Sequence, residues 1–528
     1  MKRIFKAISA HSWVKITLML LSVTLFSYLL VGVNLNSKWW IIDDHEIMNT
    51  IEDSYRLSPL NYFKFVAGSE TFMIGKSPRY RPARYIIYFA ETMMWGKNPF
   101  IWYLVRFIIF ISVLFSCWYL VDKYVGLIMS GVFTIYLVTL DFWPDIVLRL
   151  GPSETYVILG VAIFCLSFYG LLKANQIYIY WLGIFFGTFL AVGSKENMIF
   201  MVLPLILLYV NFVRNRIKIS LLGKLSLMLS TLMIFLVAYS VAIVNHRTGH
   251  DIYQQSTVIS GRIDIAQRGL ILMLTDYKII LPILLISLLL LVINIAPRLK
   301  SYSNKSEYSY WYVGLLISML LTYLSQFIFY NGNWPQGNRY DFPGVLIPPF
   351  LWLMVYVFIN NILGKYSNKV VKYLFMFFCV SFIFFIIYNN KFVKLRTAAK
   401  KNVERTNFFT NSLQYFMTEV KNNNGCDIVF YPSDPWSYEP IVSVKRFLLA
   451  SGINNNYYVK PNFCSDTFNG DQMQIYLKSI ICEWSIYGSD KIIIVEPLIK
   501  KSINNCCLGF QSGGDKDCKF YSDISKSI

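Results

Sequence analysis

Long apolar runs broken by short polar connections fill most of the first 390 positions of the chain. The first run covers roughly 13–34. Others fall at roughly 101–121, 124–140, 154–172, 177–193, 197–213, 220–244, 277–296, 309–330, 344–363 and 370–390. A helix of about 20 apolar residues crosses a bilayer, so the pattern predicts about eleven transmembrane helices. The first run is longer than the apolar core of a signal peptide. It ends in Asn36-Ser37-Lys38-Trp39-Trp40 with no small-residue cleavage site, so it is expected to remain as a span. The stretch 35–100 is too polar to cross. Pieces of it, such as Tyr62-Phe63-Lys64-Phe65-Val66, are amphipathic and suit the membrane interface.

After about 391 the pattern changes. Phe408 to Lys421 reads as an amphipathic helix, Asp427–Tyr431 and Lys491–Val495 as buried strands, and Ile441–Ala450 as a crossover helix between strands. The expected organisation is therefore a transmembrane domain, 1–390, with a first outer loop at 35–100, and a small α/β domain at 391–528. The fold class is a mainly α-helical polytopic membrane protein with a small C-terminal extracytoplasmic α/β domain.

Charge fixes the expected orientation. With the N-terminus in the cytoplasm, the basic residues Lys123, Lys173, Arg214, Arg216, Lys218, Arg298, Lys300, Lys305, Lys365, Lys369 and Lys372 all fall in cytoplasmic connections, as the positive-inside rule requires. An odd number of spans then places the C-terminal domain outside. The nine cysteines fit this division. Cys117, Cys165 and Cys379 lie in apolar runs, whereas Cys426, Cys464, Cys482, Cys506, Cys507 and Cys518 lie in the C-terminal segment, where an oxidising compartment favours at least one disulfide. Only 15% of the 528 residues are charged, against roughly 25% in soluble domains, and 55% are hydrophobic. The net charge of +19 is accounted for largely by the basic connections. With no nucleic-acid motif and no Walker or Rossmann glycine loop, nucleic acid is not an expected partner.

Sorting the polar residues by side brings a group to the outer face: Asp43-Asp44-His45-Glu46, then Asp141 and Asp145 with Arg149 and Glu154, then Lys195-Glu196, then His246, His250 and Asp251, then Arg339-Tyr340-Asp341. Carboxylates at one end of a bundle are costly unless solvated, paired or functional. Each has a plainer reading. Asp43 and Asp44 suit a solvated helix end, Asp141 and Asp145 a helix terminus, Lys195 and Glu196 a packing contact. Arg79, Arg81 and Arg84 suit a basic interfacial anchor as well as a phosphate contact. His246 and His250 lack the glutamate of a zinc-protease motif and read as a loop.

An acidic pair after the first span, a long first outer loop, Asn338-Arg339-Tyr340 followed by Pro343 and Pro348-Pro349, and an outer C-terminal domain together resemble the C-type (GT-C) glycosyltransferases, polytopic enzymes that use polyprenyl-phosphate sugars. Asp141 and Asp145 resemble the acidic second loop of some members. Asp44-His45 departs from the Asp-Glu pair of others. In size and layout the chain is also similar to serotype-converting O-antigen glucosyltransferases. The resemblance implies transfer of a sugar from a polyprenyl-phosphate donor to a hydroxyl of a cell-envelope glycan, such as O-antigen or another surface polysaccharide, at the outer (periplasmic) face of the cytoplasmic inner membrane. It implies Asp44, then Asp43, as catalytic base, with Asp141, Asp145 and Glu154 as acidic second-loop candidates. Arg339, with Arg81, Arg84 and Lys195, is expected to bind the donor phosphate. The expected cofactor is none, or a divalent metal held by Asp43, Asp141 and Asp145. The expected partners are the lipid-linked donor, the glycan acceptor and the bilayer. The alternatives are a transporter or flippase of lipid-linked glycans, which calls for polar residues at the bilayer midplane and internal repeats, and a glycan polymerase.

Overall fold

The computed structural model describes residues 12–51, 54–74, 80–173, 178–248, 259–276, 281–285, 314, 316–325, 339, 342–366, 376–377, 380–381, 392–422, 427–430, 438–455, 457–459, 464, 482, 507–513 and 517–521. Among these, five helices are long and apolar enough to cross a membrane: Trp13–Asn36, Pro99–Val125, Glu154–Lys173, Glu196–Arg214 and Leu221–Val244. Each coincides with a range expected from the hydrophobic pattern. Four shorter apolar helices, Leu127–Val138, Tyr178–Val192, Leu316–Ser325 and Gly344–Val357, fall inside four more of the expected ranges. The remaining two, 277–296 and 370–390, lie almost wholly outside the described residues, so the count of eleven is not reached here. The chain is a multi-pass membrane protein by these helices.

The first helix, α1 (Ser12–Val31), continues through a 3-10 turn to Asn36 and packs along α5 (Pro99–Val125). Between them the loop is built of short helices: α2 (His45–Ile51), α3 (Pro59–Gly68) and α4 (Pro82–Trp95). Ser58 caps α3 by accepting from the Asn61 N–H, and Leu60 and Phe63 of that helix face outward, the arrangement of an interfacial helix. Lys15, near the start of α1, pairs with buried Asp122, near the end of α5. The two helices therefore run antiparallel, and the acidic pair lies at the opposite end of the bundle from that ion pair. After α5 come α6 (Leu127–Val138), the short α7 (Trp143–Val147), α8 (Glu154–Lys173), α9 (Tyr178–Val192), α10 (Val202–Arg214) and α11 (Leu221–Thr248). Glycines let α8 and α9 approach closely. A Cβ on Gly160 would come within 2.6 Å of the Ala191 backbone, and one on Gly187 within 2.7 Å of the Phe164 backbone, the small-residue contact that membrane helices use in place of hydrophobic drive. α12 (Ile259–Asp276) was not expected from hydropathy, because Arg262, Asp264 and Arg268 interrupt its apolar face. α13 (Ile347–Tyr366) follows the 3-10 turn Gly344–Leu346.

The C-terminal segment departs from expectation in one respect. The amphipathic helix expected at 408–421 starts much earlier: α14 spans Phe392–Asn422. Its first turns pack into the membrane bundle, where Leu395 and Ala399 join the main apolar cluster. Its later turns bring Phe409, Leu413 and Phe416 into a second cluster with Trp39, Ile41, Ile47 and Trp102. The reason is polar as well as apolar. Asn402 donates to the side chains of Asn34 and Ser37 and to the Leu148 carbonyl, at 2.9, 3.2 and 2.8 Å. Thr406 accepts from the Lys38 N–H at 3.0 Å, and Thr410 donates to the Trp39 carbonyl at 3.2 Å. Residues 402, 406 and 410 share one helix face, and that face grips the chain leading to the acidic pair.

Beyond α14, β1 (Asp427–Phe430), α15 (Tyr438–Leu449) and β2 (Tyr457–Val459) form a βαβ unit with parallel strands. β3 (Cys507–Gly513) is parallel to β1, and β4 (Asp517–Tyr521) antiparallel to β3, giving the sheet order β2-β1-β3-β4. Cys464 and Cys482 form a disulfide. The strand expected at 491–495 lies outside the described residues, as do Arg79, His250, Asp251, Asn338, Tyr340 and Asp341.

Candidate functional site

The site lies where the first loop, the α7–α8 connection and the C-terminal helices meet. Trp39, Trp40, Ile41 and Ile42 lead into the acidic pair, and Trp39 and Ile41 are buried in the second apolar cluster. At Asp43 the chain turns with φ of 70°, a left-handed conformation that Asp tolerates better than most side chains. The turn separates the two carboxylates. Asp43 points to Arg149, accepting from its Nη2 at 2.9 Å, and keeps about 25% of its side chain exposed. Asp44 turns inward, is 3% exposed, and accepts the Trp40 N–H at 2.8 Å. Burial pushes the Asp44 carboxyl up to about 8, against the opposing pull of the Trp40 hydrogen bond, with the Asp43 charge adding to the rise.

The residues that hold Asp43 come from a short loop pinned on three sides. Leu148 accepts from Asn402 and Asn34. Arg149 reaches Asp43 and lies 4.0 Å from Asp145, one helical turn earlier. Gly151 packs directly on Asp43: a Cβ there would fall 2.1 Å from the Asp43 Cβ. Beneath the loop, buried Arg106 makes a bidentate pair with Glu91 at 3.1 and 3.2 Å and also donates to the Tyr156 hydroxyl at 2.8 Å. Its guanidinium supports the Leu150 carbonyl as well.

The basic candidates each face a carboxylate. Arg81 precedes the first turn of α4 and clamps buried Glu196 through Nε and Nη2 at 2.7 and 2.9 Å. Arg84, three residues on, reaches Glu46 at 3.2 Å. The Gly193 carbonyl accepts from the Ala83 and Arg84 N–H groups, which fixes the start of α4 against the end of α9. Lys195 donates to Glu154 at 3.0 Å, both side chains almost fully buried. Lys195 and Glu196, adjacent in sequence, thus take partners on different elements. Arg339, partly buried, lies within electrostatic reach of Glu154. Two neighbouring groups result. One holds Asp43, Asp44, Glu46, Arg84, Arg149 and Asp145; the other holds Glu154, Lys195 and Arg339, with Arg81 and Glu196 beside them on the shared helix start.

Asp141 pairs with Lys394 of α14 at 3.6 Å, with both side chains largely exposed. Of the three carboxylates expected as metal ligands, Asp43 and Asp145 flank the Arg149 guanidinium and Asp141 lies against Lys394. Among the described residues no three His, Cys, Asp or Glu side chains converge as a metal-binding group.

Three residues with no role assigned from sequence stand beside the pair. Arg149 has been described. Arg405 of α14 stacks over the Trp40 ring at 4.2 Å and donates to Asn402. Its charge acts on Asp44, and burial together with the nearby Arg149 lowers its proton affinity. Glu439, in the first turn of α15, accepts from the Asp43 N–H. Burial pushes its carboxyl up to about 7, and the Asp43 and Glu46 charges act in the same direction. The signal for Arg405 lies in the polar 402-406-410 spacing, which begins six residues before the helix expected at 408 and runs into it. Nothing local marks Glu439, because its role depends on where α15 docks.

No protein-family model matches the sequence, and neither does any curated protein. Among solved structures the chain is similar to the crystal structure of ArnT from Cupriavidus metallidurans bound to undecaprenyl phosphate. The identity is 8%, the match covers 94% of this chain and 93% of that one, and the TM-score is 0.45. Nothing about this chain's activity follows from a likeness that slight.

Proposed function

We propose that the chain is a membrane glycosyltransferase that moves a sugar from a polyprenyl-phosphate donor to a hydroxyl of a cell-envelope glycan, such as O-antigen or another surface polysaccharide. The observation that carries this reading is the Asp43–Asp44 pair. One carboxylate is partly open and held by Arg149, the other is buried with its proton affinity raised to about 8, and both sit at one end of a membrane-spanning bundle among paired arginines and lysine. A base works best with a proton affinity near the working pH. Asp44 has that affinity and Asp43 has the access.

In the proposed reaction the acceptor oxygen attacks the anomeric carbon, forming the new glycosidic bond as the bond to the lipid phosphate breaks. The acceptor proton passes to Asp44, or to Asp43. The departing phosphate keeps the bonding electrons and is stabilised by Arg339, with Arg81, Arg84 and Lys195, each paired with a carboxylate, as lesser candidates. A direct displacement of this kind inverts the anomeric centre. Because the donor carries no nucleotide, no Rossmann or Walker element is needed. In the same reading the site faces outward from the cytoplasmic membrane, with about eleven spans, a cytoplasmic N-terminus and an extracytoplasmic C-terminal domain, in keeping with the basic connections.

Mass spectrometry of surface glycans from cells with and without the protein tests the reading. One added hexose-sized substituent that depends on the protein is expected. Identical glycans in both would reject it.

A further inference from the structure

Arg149, which holds Asp43, is itself held at the backbone on both sides. Before it, the Leu148 carbonyl accepts from Asn402 and Asn34. After it, the Leu150 carbonyl faces Arg106 Nη2 at 3.5 Å. Arg106 is 1% exposed and lies near the start of α5, a membrane-spanning helix. Its guanidinium forks onto both oxygens of Glu91 on α4 and donates to the Tyr156 hydroxyl on α8. That hydroxyl in turn donates to Glu91, and the Tyr156 ring lies 4.8 Å beneath the guanidinium. Three buried side chains therefore tie three helices together directly under the loop. Tyr156 is only five residues beyond Gly151, whose backbone packs on Asp43, so the triad fixes the far end of the same loop.

Stability alone is a poor reason for this triad. A buried ion pair costs much of its attraction in lost hydration, and well-packed apolar side chains of similar size often serve a fold as well or better. Here the cost is raised further, because Arg106 Nε is buried without a hydrogen-bond partner among the described residues. An ionisable residue within a span is expensive in its own right. What the triad supplies that apolar packing cannot is direction: a planar fork locked by two oxygens and a hydroxyl leaves one donor aimed at one carbonyl.

We propose that Glu91, Arg106 and Tyr156 are positioning residues: together they hold the Leu150 carbonyl, and with it Arg149 and Gly151, so that the Asp43 carboxylate stays fixed beside Asp44 on the open side of the site. This rests on the glycosyltransferase reading above. The triad touches no substrate and acts through Arg149.

The test uses the full-length protein in proteoliposomes, with a polyprenyl-phosphate hexose and a purified envelope glycan as substrates. Wild type is compared, at equal folded concentration, with the apolar triple variant Glu91→Leu, Arg106→Met, Tyr156→Phe, with Arg149→Gln, and with the two combined. The triple variant should melt at or above wild type yet lose about 10-fold or more in kcat, with both KM values within about 2-fold. Arg149→Gln should lose a similar factor, and the combined variant no more than about 3-fold beyond either, because both changes release the same contact. An unchanged kcat in the triple variant, or losses that multiply in the combined one, would overturn the proposal. If the triple variant does not fold, Tyr156→Phe, which keeps the ring and removes only the shared hydroxyl, takes its place in the same comparison. Amide hydrogen exchange over residues 146–153 gives a readout that needs no activity: it should quicken at least several-fold in the variant while α5 is unchanged, and unaltered protection would overturn the proposal as well. A wild type that transfers no sugar would reject the underlying reading instead, and the exchange measurement would then decide the positioning role.

Discussion

Asp44→Asn separates chemistry from packing more cleanly than any other single change. The amide keeps the shape and can still accept the Trp40 N–H through its carbonyl oxygen, but it cannot take a proton from an acceptor hydroxyl. With the Asp44 carboxyl raised to about 8, roughly one molecule in ten has it ionised at pH 7, and roughly one in a hundred at pH 6. Wild-type kcat/KM should therefore climb about tenfold per pH unit up to about 7.5 and level off above 8. Asp44→Asn should lose about 10²–10⁴-fold of that plateau rate and show no such limb. Stability moves the other way. The folded carboxyl holds its proton from about pH 4 to about pH 8 while the unfolded one does not, so wild-type stability falls as pH rises through that window. A shift of about four units corresponds to something on the order of 5 kcal/mol. The neutral amide avoids this loss, so Asp44→Asn should melt higher than wild type at pH 8.5 and nearly level with it at pH 5. The assay is sugar transfer from pH 5.5 to 9 beside thermal melts in the same detergent. A flat wild-type profile, or an Asp44→Asn protein with more than about a tenth of the plateau rate, would refute the assignment and move the base to Asp43.

Other substitutions probe the supporting geometry. Gly151→Ala places a methyl group 2.1 Å from the Asp43 Cβ; at least a tenfold fall in turnover per folded molecule is expected, with about 1–3 kcal/mol lost in chemical denaturation. Lys195→Met leaves buried Glu154 without its hydrogen-bonded cation and should cost about 3–5 kcal/mol, measured by thermal melt, whereas Lys195→Met with Glu154→Leu should recover much of it. Arg339→Lys should fold normally yet bind the lipid-phosphate donor at least several-fold more weakly, because an ammonium cannot reproduce the two-oxygen grip of a guanidinium; unchanged donor affinity in Arg339→Ala would remove it from the phosphate site.

The apolar period revealed the membrane helices because in lipid a spanning helix must be apolar all along its length, and five spans stand where the pattern puts them. The same pattern puts the acidic pair directly after the first span, behind Trp39-Trp40, and there the structure holds one carboxylate on Arg149 and buries the other. What the pattern did not show is partnership. Whether Arg81 faces Glu196, or Arg149 faces Asp43, depends on contacts more than a hundred residues apart. The start of α14 was missed because Lys394, Arg396, Lys400 and Lys401 make its first turns look like a linker, while the residues that anchor it, Asn402, Thr406 and Thr410, carry no hydrophobic signal. Glu439 was invisible because a single carboxylate in a polar segment acquires meaning only when α15 docks on α2.

The proposed function requires this membrane protein to form a glycosidic bond and not merely to move a lipid. Purified protein in sealed liposomes, given a polyprenyl-phosphate hexose labelled in the sugar and a glycan acceptor on the accessible face, tests it most directly. Label should move from the lipid to the glycan, free polyprenyl phosphate should accumulate in equal amount, and both should cease in the Asp43→Asn, Asp44→Asn double variant. Label that stays on the lipid but crosses the bilayer would rule out the transferase reading and identify a flippase instead.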